Sequence, residues 1–230
     1  MATDQASDSP PRSLTEEQQQ LTRSRIRQAA MEVVARRGFD ATVDEIAQLS
    51  GVSPRTIFRH YKTQSDLIAA TLQDMIEAGA RPIEGLPRPS DDLDGWLEGL
   101  SSVIHTRNAE IFGNVIWDLH APSASLPAKL SEMIAARLDY RRNAIQHVVA
   151  VAWQAAGGMG PAPHWLVSVF TVNLSAFTTQ TLRTDRDQTP AQVGALTAHV
   201  LKVLLRYAVD EQRAVRTGVV TATTTNTDED

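Results

Sequence analysis

Apolar residues recur three and four positions apart along most of this chain, and no segment shows the strict alternation of a half-buried strand. Thr15-x-x-Gln18 has the pattern of a capping box. The helix it opens carries Ile26, Ala30, Val33 and Val34 on one face. Arg36-Arg37 suit the carboxyl end of that helix and Gly38 a left-handed cap, so the first helix is predicted to end there. The stretch Thr42–Gln64 then reads as two short helices around a turn. Thr42-x-x-Glu45 is a second capping box, Gly51 supplies the turn, and Ser53-Pro54 places an N-cap before a proline at the first helical position. Ile46, Ala47, Leu49, Val52, Ile57 and Tyr61 are predicted to pack inward. Thr63-x-x-Asp66 opens a fourth helix to about Ala80, and Pro82, Gly85, Pro87 and Pro89 break the chain after it.

The remaining periodic segments predict five more helices. They start near Ser90, Ile111, Ser125, His164 and Pro190, and end near Ile104, Leu119, Ala156, Arg183 and Val209. In the last, Val193, Leu196, Val200, Val203, Leu204 and Tyr207 form a stripe that Leu201, Leu205 and Ala208 widen beyond a single contact. The expectation is an all-α chain of about nine helices. Residues 1–13 are a disordered leader, 14–64 a small three-helix head, 65–210 a larger helical domain and 211–230 a disordered tail.

The chain of 230 residues carries a net charge of −5, which at first argues against nucleic acid. The distribution reverses that. From Arg12 to Gln64 there are nine Lys/Arg against six Asp/Glu, so the basic excess sits in the head while the rest is acidic. With no cysteine, disulfides and thiolate metal sites are excluded, which fits a reducing cytoplasm. No apolar run reaches the roughly 18–20 residues of a membrane span, and no membrane partner is expected. The histidines lack metal-ligand spacing, and no phosphate-binding glycine loop, nucleophile elbow or paired-carboxylate arrangement is present. Neither a cofactor nor an enzyme is expected.

The head carries the chemistry. Arg55, Thr56, Arg59 and His60 share the outer side of the second motif helix, and Val52–Gln64 contains no acidic residue. Arg can read guanine bidentately, Thr can bond a base or touch a thymine methyl, and His and Lys can bind phosphate. That is the layout of a helix-turn-helix reader whose second helix enters the major groove. The alternative is a helical adaptor that turns Arg55 and Arg59 toward an acidic protein partner.

The segment ARRGFDATVDEIAQLSGVSPRTIFRHYKTQSDLI resembles the N-terminal domain of TetR-family transcriptional regulators, over about Thr22–Leu72. The resemblance implies a homodimer, usually a repressor, that binds a palindromic operator in double-stranded DNA and responds to a small-molecule effector. It further implies phosphate contact by Thr42, base contact by Arg55 and Thr56, and DNA-facing roles for Ser53, Phe58, Arg59, His60, Lys62 and Gln64. Phe58 stands where such proteins often have Tyr, and Gln64 where Lys is frequent. The dimer is expected through the last two helices. The effector, apolar or amphipathic, is expected among Trp96, Phe112, Asn114, Trp117, His120, Met133, His147, Trp153 and Phe170.

Overall fold

The computed structural model describes residues 14–81, 83–120 and 127–217. The expected leader, the loop before the long helix and the end of the tail lie outside the described residues, as do the side chains of Thr15 and His120. Ten α-helices and no strand occur among the described residues.

Side-chain caps position the head. Helix α1, Leu14–Arg37, leads through a single tight turn at Gly38–Asp40 to α2, Val43–Ser50, α3, Pro54–His60, and α4, Gln64–Gly79. Thr42 caps α2 in a complete box with Glu45, Ser53 caps α3 ahead of Pro54, and Thr63 caps α4 in a box with Asp66. Gly51, with φ +67°, makes the left-handed turn between α2 and α3. Ile46 and Ile57 are fully buried and Tyr61 nearly so. Leu49 departs from expectation and is 44% exposed. At 100° per residue it lies about a third of a turn from the face that Val43, Ile46 and Ala47 present to α1.

The body begins with α5, Leu93–Arg107, whose N-cap is Asp92 rather than Ser90, because the Asp92 carboxylate accepts from the N–H of Gly95. A wider π turn at Asn108–Phe112 follows, then α6, Val115–His120, and α7, Ala128–Ala155. The segment expected as one helix from His164 to Arg183 is two helices, α8, His164–Asn173, and α9, Ala176–Arg186. Ser175 is extended between them, and its hydroxyl accepts from the N–H of Thr178 as a fresh N-cap. Helix α10, Pro190–Arg216, runs past the expected end near Val209. Its last turns are held by Gln212, whose amide donates to the carbonyl of Met159 and accepts from that residue's N–H. Residues 211–216 are therefore helix, not tail.

Burial divides between two apolar cores. The first joins α1 to α4 with α6 and the opening of α7, around Ile26, Ile46, Leu72, Met75, Ile116 and Ile134. The second joins α5, the later half of α7, α8 and α10 around Leu97, Val149, Trp153, Phe170 and Leu201. His105 ties α5, α9 and α10 together with both ring nitrogens engaged. Nδ1 lies 2.7 Å from the Thr179 hydroxyl and Nε2 2.9 Å from the Thr197 hydroxyl.

Candidate nucleic-acid interface and ligand cavity

Helix α3 is short and capped, and its inward side is fixed by Ile57. Ile57 in the core turns Arg55, Phe58 and Arg59 outward, with Phe58 48% exposed. Thr56 and His60 are half-buried at the edges of that face. Neither Arg55 nor Arg59 has an ion-pair partner among the described residues. Lys62 is exposed just beyond the helix.

Several hydroxyls expected to serve as contacts are already engaged. Thr42 accepts from the N–H of Glu45 and donates to its carboxylate, and the Thr42 backbone N–H donates to the same carboxylate. These bonds hold the Glu45 carboxyl below its ordinary value, so the box persists at neutral pH. The Ser53 hydroxyl accepts from the Thr56 N–H and shares a 2.9 Å bond with the Thr56 hydroxyl. The Gln64 amide donates to the carbonyl of Ala41 at 2.9 Å, pinning the start of α4 to the entry of α2. Its visible work is inside the head.

Helix α1 is held along two seams. Arg27 of α1 grips Asp74 of α4 bidentately, which raises the guanidinium pKa. At the other seam, α6 clasps the end of α1. The Asn114 N–H donates to the carbonyl of Ala35, the Asn114 amide donates to that of Arg36, and the Asp118 carboxylate accepts from the N–H of Phe39 at 2.9 Å. Two glycines permit this approach. Gly113 has φ +47°, and a Cβ there would lie 2.5 Å from the Ala35 carbonyl oxygen; a Cβ on Gly38 would lie 1.8 Å from Asp118. Asn114 also accepts from Gln180 of α9. Asn114, expected to meet the effector, and Asp118, one turn on, are thus used in a structural clasp.

A cavity of about 570 Å³ opens between the two cores, bordered by the end of α4, α5, the π turn, α7 and Leu174. Of the eight residues expected to meet the effector whose side chains are described, only Phe112 and His147 line it. Trp96, Trp153 and Phe170 belong to the second core, and Met133 packs against the first. Trp117 sits edge-on to Phe177, ring centroids 4.7 Å apart. Aromatic side chains at helical spacing here serve packing, which makes them poor guides to the cavity. The wall instead takes Tyr140, Arg137 and Arg141 from α7, residues that sequence reasoning missed. A signal existed: Arg137 and Arg141 fall on the same stripe as Leu130, Ile134 and Ile145, so two charges occupy inward positions. Leu138, one of the apolar residues in the sequence pattern of α7, is 36% exposed.

Residues 26–71 match the family model described as "Bacterial regulatory proteins, tetR family". The chain carries a TetR-family N-terminal domain. The match spans α2 and α3, the second half of α1 and the first half of α4, so the TetR-family head falls within the capped unit described above. Among curated proteins, the HTH-type transcriptional regulator UidR of Escherichia coli (strain K12) is 36% identical over 99 residues, covering 41% of this chain and 46% of UidR. The HTH-type transcriptional regulator TcmR of Streptomyces glaucescens is 26% identical over 135 residues, covering 50% of this chain and 60% of TcmR. The chain thus spans about half the length of the curated relatives it matches. Beyond the head, likeness is one of fold. A tetR-family transcriptional regulator from Streptomyces coelicolor aligns with TM-score 0.57 at 19% identity, over 87% of this chain and 88% of that one. The transcriptional regulator FadR from Bacillus subtilis, in complex with stearoyl-CoA, aligns with TM-score 0.54 at 19% identity, over 80% and 97%. No helix among the described residues is long and apolar enough to cross a membrane.

Proposed function

We propose that the chain is a sequence-specific DNA-binding transcriptional regulator of the repressor type rather than an enzyme, acting as a homodimer on a palindromic operator. The observation that carries this reading is the outer face of α3. Two exposed arginines, without acidic partners among the described residues, stand on a capped helix inside a TetR-family head. Arg55, at the start of α3, reads a base edge, and Thr56 reaches one once DNA replaces its bond to Ser53. Thr42, Ser53, Phe58, Arg59, His60 and Lys62 flank the backbone, where contacts fix register without reading sequence. Gln64 contributes by holding α4 against the entry of α2.

A second copy is favoured by apolar surface left uncovered on the body. Trp165 and Val172 of α8 and Leu196, Val203 and Tyr207 of α10 are exposed, and Trp165 meets Tyr207 edge-on at 6.1 Å. Pairing these faces across a two-fold axis buries them and sets two heads at a fixed spacing. The effector, an apolar or amphipathic molecule, binds in the cavity between α4, α5 and α7. The fold neighbour in complex with stearoyl-CoA supports an amphipathic occupant. Because α4 both borders the cavity and belongs to the head's core, an occupant that prefers one α4 position shifts the head equilibrium.

Selection of bound fragments from genomic DNA, followed by footprinting, tests this reading. Enrichment of an inverted repeat protected on one face of the duplex is expected. Failure to retain any fragment at moderate salt refutes it and leaves the adaptor reading.

A further inference from the structure

Arg137 is only 8% exposed, and its Nη1 is shut off from water without a hydrogen-bond partner among the described residues. Buried guanidinium groups ordinarily lie against a carboxylate, because an unpaired charge taken out of water is costly. Neither Arg137 nor Arg141 has an ion-pair partner among the described residues. Residues 121–126, just ahead of α7, contain no Asp or Glu. Arg141 satisfies part of its fork on the carbonyl of Thr171. The Phe112 ring, 4.9 Å from the Arg137 guanidinium carbon, covers one face of that group but offers Nη1 no lone pair. Both arginines form part of the cavity wall, together with His147 and two further arginines and, among the described residues, no acidic one. A wall so composed is apolar in most of its area and positive in its polar groups.

We propose that the cavity takes an apolar molecule bearing a single oxyanion, a carboxylate or phosphate ester, and that Arg137 is the residue that pairs with it. This rests on reading the cavity as the effector site. A small rotation of the guanidinium presents Nη1 to the oxyanion, while the apolar body of the ligand lies along Ile76, Leu100, Ile104 and Val148. Burial, and the charge of neighbouring Arg141, push the Arg137 pKa down to about 10, so it stays cationic at neutral pH. An anion at this point relieves both effects. A cationic amphiphile meets the same field with the opposite sign and is excluded.

Titration calorimetry on the full chain at neutral pH, with ligands that share one alkyl chain, tests the proposal without DNA. The probes are dodecanoate, dodecyl phosphate, dodecanol and dodecylamine. At least one of the two anions is expected to bind roughly tenfold or more tighter than the alcohol, with the amine weakest. The better anion tells which headgroup the site prefers. Arg137→Met should abolish the preference while leaving dodecanol affinity close to that of the unaltered chain, and Arg137→Lys should restore part of it. Equal binding of anion and alcohol, preference for the amine, absence of binding by both anions, or selectivity that survives in Arg137→Met each overturns the proposal. If Arg137→Met fails to fold, the four-ligand comparison on the unaltered chain still decides. Gel shifts on the same preparation keep the two readings apart. DNA binding without anion selectivity sinks this inference alone, and anion selectivity without DNA binding sinks the regulator reading while the site stands.

Discussion

Protonation of His105 should be one of the main routes by which mild acid destabilises this fold. The ring is fully buried among α5, α9 and α10, and burial pushes its pKa from 6.5 down to about 4. The Thr179 hydroxyl is within 3.1 Å of the Ser175 carbonyl, to which it donates its one proton. It must then accept from Nδ1–H, while the Thr197 hydroxyl donates to Nε2. That tautomer is neutral and satisfied on both sides, and no carboxylate among the described residues stands by to hold an imidazolium. The sign follows from linkage. Between about pH 6.5 and 4 the unfolded chain binds the proton and the folded chain does not, so stability falls as pH falls through that window. A shift of this size corresponds to about 3 kcal/mol, and below pH 4 the group adds no further loss. Urea denaturation every half unit of pH, for the unaltered chain and for His105→Gln, measures it. The variant should be less stable at pH 7 yet lose less on acidification, the slopes differing by up to about 1.4 kcal/mol per pH unit. Parallel pH slopes, or an NMR titration of His105 near its ordinary value, refute the reasoning.

Further expectations concern the clasp, the reading face and the dimer face. Asp118→Ala removes the charged acceptor for the Phe39 N–H and should cost about 1–2 kcal/mol in urea denaturation. Gly113→Ala meets the Ala35 carbonyl from a backbone conformation side chains rarely adopt, and should cost upwards of about 2 kcal/mol in the same assay. Arg55→Ala should narrow the difference between a selected site and its single-base variants by about 1–3 kcal/mol, measured by competition gel shift. Val203→Glu, on the exposed face of α10, should leave helix content unchanged by circular dichroism and shift light-scattering mass toward the monomer.

The head was legible in the sequence because its structure is local. Thr42, Ser53 and Thr63 each announce a helix start within three residues, and the structure uses all three as caps. Helix ends that depend on distant partners were less legible. Nothing near Ser175 marks it as a break, since His164–Arg183 is periodic throughout. α10 runs past Val209 because Gln212 finds the backbone of Met159, 53 residues away in sequence. The cavity was hidden for a related reason. Aromatic residues fill cores as readily as they line pockets, and Trp153 and Phe170 are buried against their neighbours. Arg137 and Arg141 interrupt an apolar stripe, and reading that interruption as buried charge rather than as a stray surface residue would have found the wall. Asn114 and Asp118 stand one turn apart in the sequence, but their partners are backbone groups of α1 and the turn after it, which periodicity does not reveal.

The central claim is that the outer face of α3 holds DNA. Its most direct test is the salt dependence of affinity for a selected fragment, measured by fluorescence anisotropy for the unaltered chain and for Arg55→Ala/Arg59→Ala. The logarithm of affinity should fall linearly with the logarithm of salt concentration. The double variant should bind more weakly, with a slope shallower by roughly one for each phosphate that each head no longer neutralises. Equal affinity and equal slope for the two proteins would contradict the account.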